Sequence, residues 1–196
     1  MAYITFQPHD HFDVPTWDGS DSTTTITGMQ FKPDSIWIKR YDGNGHPVLN
    51  NSSLGTAKNW IPSGNNAVNT TVHVASYTSD GFTLTGNIND TNDASQKYMA
   101  GCWKANGGTT AANTDGATAS TVQVNQTAGF SIVNWTGTGS TTTLGHGLGV
   151  APKVIIAKNN AEADRGVVLN MSSIYETDPE TDNLQFALNG TTLQDQ

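Results

Sequence analysis

The chain has 196 residues, with 9 Lys or Arg against 17 Asp or Glu, a net charge of −8, and only 13% charged residues. That balance excludes clustered cationic surface, and with it nucleic acid and anionic membranes as partners, because both reward Lys and Arg. A single cysteine, Cys102, excludes an internal disulfide framework and reads as an inert buried thiol.

The polarity comes from Thr, Asn, Ser and 20 glycines, interleaved with β-branched residues and five Trp. This mixture suits strands and turns, and it predicts an all-β fold. The opening "MAYITFQPHDHF" has neither the basic stretch nor the apolar core of a secretory signal. No apolar run approaches the roughly 18 residues that a membrane span needs. The expectation is a protein made in a cytoplasm, without membrane insertion.

Residues 1–12 read as an N-terminal arm. "MAYITF" is apolar and strand-prone ahead of Pro8, so Tyr3, Ile4 and Phe6 are the expected contacts for attachment or for another subunit. "PHDHFD" follows, holding His9, Asp10, His11 and Asp13. His-x-His on a strand would place both imidazoles on one face as a transition-metal pair. The alternative, adopted here, is a polar arm whose Phe12 docks into the first unit, with no metal.

Residues 13–106 form the first predicted unit. "TTTITGMQF" runs into "PDSIWIKRY", and "DGNG" (42–45) ends that run as a turn. "PVLNN", "TTVHVASYT", "FTLTG" and, after the loop "NINDTNDASQ", "KYMAGCWKA" complete it. Ile36 and Ile38 alternate with Ser35, Trp37 and Lys39, the period of a half-buried strand. The acidic turns "DGNG" and "NDTND" (89–93) offer oxygens to Ca²⁺, but neither has EF-hand spacing, and each reads as a turn first. Trp37, Trp60 and Trp103 offer a sugar a stacking face if they are not simply core. No Ser/His/Asp grouping and no carboxylate pair suggests catalysis. Catalytic residues and cofactors are therefore expected to be none.

Residues 107–128, rich in small polar residues, read as a linker in which "STVQV" could still pair as a strand. The second unit, 129–196, repeats the first. "GFSIVNWTGTGSTTT" (129–143) answers "HFDVPTWDGSDSTTT" (11–25), "APKVIIAK" (151–158) answers "KPDSIWIK" (32–39), and "VVLNMSSIY" (167–175) answers "PVLNNSSLG" (47–55). The offset drifts only from 118 to 120, which marks an internal duplication. "LGHGLGVAP" carries Gly145, Gly147 and Gly149, but a strand follows where a phosphate loop needs a helix. His146 is expected to hydrogen-bond locally.

The predicted architecture is two related antiparallel β-sandwich-like units in tandem, the second incomplete. Its missing strands, the counterparts of "DGFTLTGN" and "KYMAGCWKA", are expected from chain beyond this sequence or from another subunit. The expected core is Phe12, Trp17, Phe31, Ile36, Ile38, Leu49, Phe82, Leu84, Trp103, Phe130, Trp135, Ile155 and Leu169.

The blocks "MAYITFQPHDHF", "DGSDSTTTITGMQFKPDSIWIK", "SDGFTL", "YMAGCWKANGG" and "AGFSIVNWTGTGSTTTLGHGLGVAPKVIIAK" together resemble tandem-repeat, tail-fibre-like virion proteins of marine tailed bacteriophages. The resemblance implies a virion structural component, a tail fibre or other appendage, located in the virion and assembled in the host cytoplasm. Its implied partners are other virion proteins and further copies of itself, with a trimer favoured. It carries no catalytic residue. Host surface glycan is the alternative ligand, and polysaccharide depolymerisation a more distant alternative.

Overall fold

The computed structural model describes residues 6–64 and 66–163, and the backbone of two further strands, 167–169 and 183–185. Every pairing between its strands is antiparallel. The regular elements are strands together with one short 3₁₀ turn at Pro8–Asp10, so the fold is all-β and sandwich-like.

The larger sheet takes β1 (Phe12–Asp13), β2 (Thr16–Asp18), β4 (Ser35–Arg40), β5 (Val48–Asn51), β6 (Asn59–Trp60) and β9 (Lys97–Trp103). Its order is β1-β9-β4-β5-β6, with β2 also on β9. A smaller sheet, β3 (Thr24–Ile26), β8 (Gly81–Leu84) and β7 (Val74–Thr78), runs in the order β3-β8-β7. Side chains of both sheets share one core. Ile36, Ile38, Val48, Tyr98, Ala100 and Cys102 of the larger sheet meet Ile26, Val74, Phe82 and Leu84 of the smaller.

Period-2 alternation explains which residues enter that core. On β9, Tyr98, Ala100 and Cys102 are fully buried, whereas Met99 between them is 37% exposed. Trp103 falls in the other parity and lies on the outer face, opposite Phe12 in register. There its ring folds across Gly101, so close that a Cβ at that position would lie 2.7 Å from the ring. Glycine is required there because a larger side chain and the indole cannot share the space.

Burial of Trp17, Phe31, Ile36, Ile38, Phe82 and Leu84 agrees with the sequence. The remaining expected core residues differ. Phe12 (39%), Trp135 (43%) and Ile155 (38%) are exposed, and Leu49, Trp103 and Phe130 are half-buried. Phe12 and Leu49 are apolar enough for the core, but each sits on the outer face, in register with Trp103 and Trp37 respectively. The side chain of Leu169 lies outside the described residues.

The polar segment 107–128 is more than a connection. It carries β10 (Ala111–Asn113) and β11 (Ser120–Asn125), which pair with β12 (Phe130–Trp135) in the order β10-β11-β12. Thr, Val and Gln alternate over 121–124, and Val122 and Gln123 are both buried, which a solvated linker would not achieve. A last sheet joins β13 (Ile155–Ala157), β14 (Val167–Leu169) and β15 (Asn183–Gln185).

The duplication is visible strand by strand. β12 is the counterpart of β1–β2, β13 of β4, and β14 of β5. The β13–β14 hairpin sits one residue out of step: Ile36 faces Asn50 in the first unit, whereas Ile155 faces Leu169 in the second. A one-residue slip exchanges the two faces of a strand, so matching sequence does not guarantee matching burial.

Repeat-equivalent tryptophans therefore differ in cost. Trp17 is 9% exposed and packs on Phe82 and Tyr98, while Trp135 is 43% exposed. Trp17→Ala should destabilise by about 3–5 kcal/mol and Trp135→Ala by less than about 1 kcal/mol in urea titrations followed by circular dichroism.

Candidate assembly site

A buried polar network joins the first unit to β11. Asp34 and Gln123 are both completely buried. One carboxylate oxygen of Asp34 accepts the Ser52 hydroxyl at 2.7 Å. The other accepts the amide N–H groups of Ala105 at 2.7 Å and Gly107 at 2.8 Å. Gln123 extends the chain of contacts: its amide nitrogen donates to Ser52 Oγ at 2.9 Å and Ser53 Oγ at 2.6 Å. Its amide oxygen accepts Gly108 N–H at 3.0 Å. A buried carboxylate is tolerated only with such donors around it, and here three are aimed at it. The same negative charge, after burial as the main cause, pushes the Tyr77 phenol well above the ordinary tyrosine range.

A second contact lies where the arm meets this seam. Asn125 donates from its side-chain nitrogen toward His11 Nδ1 at 2.9 Å and to the Lys104 carbonyl at 3.1 Å. Phe6 stacks on His11 with ring centroids 5.1 Å apart and planes 3° apart. Phe12 packs on Trp103 at 5.1 Å, and Trp103 stacks on Phe130 at 6.2 Å. This aromatic row therefore bridges β1, β9 and β12.

Of the three arm residues singled out in the sequence, Phe6 lies at this seam and is 39% exposed. Tyr3 and Ile4 lie outside the described residues. His9 and His11 do not share a strand face. His9 stands in the 3₁₀ turn beside Asp10 at 3.3 Å, while His11 turns to Asn125. The two acidic turns lie close together, with a cation already between them: Arg40 donates to Asp42 at 2.8 Å and to the Asn89 side chain at 3.2 Å. Asp90 accepts the His46 amide at 2.8 Å, closing the loops on each other. A small polar cleft there is lined by Lys39, Asn44, Gly45, His46 and Asn89. His146 accepts the Leu148 amide at 3.1 Å within its own turn. Trp60 is buried, and Trp37 and Trp103 are half-buried on the same outer face of the larger sheet. Burial, with Asp13's charge as a lesser cause, raises the Cys102 thiol far above its ordinary range and keeps it from forming a thiolate.

Sequence reasoning missed Asp34, Ser52, Gln123 and Asn125. Two signals were present. Ser-Ser recurs at 52–53 and 172–173, and Gln123 interrupts an otherwise apolar and β-branched alternation.

The fold and seam define an all-β, internally duplicated protein in which buried polar contacts tie the first unit to β11. The chain belongs to the family described as Domain of unknown function (DUF7483), which it matches over residues 7–196. No curated protein matches the chain, and no solved structure matches it.

Asp34→Ala would strand two buried amides and a hydroxyl, each costing about 1–3 kcal/mol. It should lower the urea midpoint more than any exposed substitution, and Asp34→Asn, which keeps one of the two acceptor oxygens, should cost less. His73 supplies a pH signature. It is buried and touches Thr91 at 3.3 Å, and burial lowers its pKa below the ordinary value of 6.5 despite Asp90's opposing charge. A base depressed in the folded state takes its proton first in the unfolded chain, so stability is complete above about pH 6.5 and falls below it. His73→Gln should flatten that acid-side slope in urea midpoints measured across the pH range.

Proposed function

We propose that this protein is a structural component of a bacteriophage virion, a tail-fibre or appendage subunit that assembles with other virion proteins and with further copies of itself, and serves particle attachment and host adsorption. One observation carries the assembly part of this reading. Val150 (68%), Val154 (51%), Ile156 (43%) and Trp135 (43%) expose apolar surface in the second unit, whereas Phe31 and Trp17, the repeat counterparts of Val150 and Trp135, are buried in the first. Exposed apolar side chains such as these are what another polypeptide can cover, and covering them returns about 25 cal/mol per Å². The phage assignment rests on the resemblance of the sequence blocks. Tyr3, Ile4 and Phe6 are the assembly contacts in this reading, and the homo-oligomer is a trimer.

Glycan binding is the second reading, favoured by Phe12, exposed beside the half-buried Trp103 on the outer face. Depolymerisation of host polysaccharide ranks below it.

Deleting residues 2–8 should leave a folded protein that no longer enters particles, as read by immunoblot of purified virions. Normal incorporation would overturn the attachment role of the arm. Incubation with host envelope polysaccharide separates the alternatives, since binding without release of reducing ends supports a glycan-binding module and release supports a depolymerase.

A further inference from the structure

β12 is the outer strand of its three-stranded sheet. Its counterpart in the first unit, β1–β2, is flanked by β9, and the carbonyls of His11 and Pro15 accept from Lys104 N–H at 2.9 Å and Ala100 N–H at 3.1 Å. Odd-numbered backbone groups of that strand therefore face β9. The β11–β12 hairpin closes at Asn125↔Phe130, through a four-residue turn ending in Gly129 at φ +67°. That closure turns even-numbered groups of β12 toward β11. Ser131, Val133 and Trp135 accordingly present their N–H and C=O groups to the edge that β9 fills in the first unit, where no described strand lies.

This edge lacks the usual protection. The first copy carries Asp13, Pro15 and Asp18 along the strand; the second has Ser131, Val133 and Thr136 at those places. Charges and prolines are what blunt an edge against pairing, and here all three are gone. Trp17 is covered by Tyr98, stacked at 5.8 Å, and Trp135 has no described strand to supply such a ring.

The chain contains a suitable strand. Residues 2–6, "AYITF", align at the 118 offset with 120–124, "STVQV", which lie in β11. The turns that follow match as well. His11 N–H donates to the Pro8 carbonyl at 3.0 Å, as Gly129 N–H does to Gln126 at 3.2 Å. They differ at their last residue, where Gly129 is left-handed and His11 has φ −132°. His11 thus does not adopt the conformation that closes the β11–β12 hairpin, and Val14 N–H in the first copy is taken by its neighbour Asp13 at 2.7 Å.

We propose that residues 2–6 of a second copy add as an antiparallel strand to the free edge of β12, with Tyr3 beside Trp135 in the place that Tyr98 holds beside Trp17. The inference rests on the reading of the arm as a subunit contact and names the surface it meets. A second copy, rather than the same chain, is the donor because the arm departs on the far side of the hairpin: Phe6 stacks on His11, and His11 is held by Asn125 of β11. Each copy then holds one donor strand and one acceptor edge, and the addition follows the general mode of β-augmentation.

Amide exchange of the full chain, read by NMR over a dilution series, tests this. The Ser131, Val133 and Trp135 amides should be protected at high concentration. They should exchange more than about tenfold faster on dilution, in Ile4→Pro, and after deletion of residues 2–5. Protection that is independent of concentration but lost on deletion would assign the strand to the same chain and overturn the proposal. Unprotected amides in a protein that still sediments as an oligomer would overturn it while leaving the assembly reading intact. Unprotected amides in a monomer would overturn both.

Discussion

The Asp34 carboxylate is the constraint around which the two halves of the molecule are organised. A buried negative charge must be surrounded by donors or the fold does not tolerate it. Satisfying it fixes three segments at once: the start of β4, the turn after β5 through Ser52, and the 105–107 turn after β9. Ser52 then serves both ends, donating to Asp34 and accepting from Gln123. The position of β11, and through its pairing that of β10 and β12, thus depends on a side chain about 90 residues earlier. Lys153 stands where the second copy would need Asp34, so the second unit cannot build the same clasp.

The central strand β9 sets the division of faces. Its inward side carries Tyr98, Ala100 and Cys102; the two small residues let Ile36 and Ile38 lie close against the opposing sheet. Its outward side carries Gly101, over which Trp103 folds. The indole is thereby held against the larger sheet and offers its other surface to Phe12 and Phe130. One strand thus anchors the core on one side and the contact between the repeats on the other.

The all-β character and most strands of the first unit were legible, because alternation in "SIWIKR" and "KYMAGCW" is strong and turn residues bound each run. The duplication was legible from recurring blocks alone. Face assignment was not. Phe12 and Trp103 are as apolar as Phe82, and only the pairing register shows that they lie outside. The segment 107–128 misled because its Thr and Gln are strand residues whose polar groups are satisfied by distant partners. Composition records polarity but not the Ser52, Ser53 and Gly108 groups that meet Gln123. The seam was illegible for the same reason, since each of its bonds spans many residues of sequence.

The two copies of one strand show how far local sequence determines environment. "FDVPTW" and "FSIVNW" both become strands with a terminal Trp in equivalent positions. In the first copy, Phe82 and Tyr98 close over the ring; in the second, Trp135 remains 43% exposed. What buries Trp17 is therefore not its own segment but β8 and β9, which arrive some 65–86 residues later. The second copy holds the apolar strand without those neighbours in the described structure, and it has lost the Asp and Pro residues that would make an open edge harmless. An uncharged strand with an open edge and an exposed indole gains most from a partner strand, because backbone pairing and apolar burial are satisfied by the same addition.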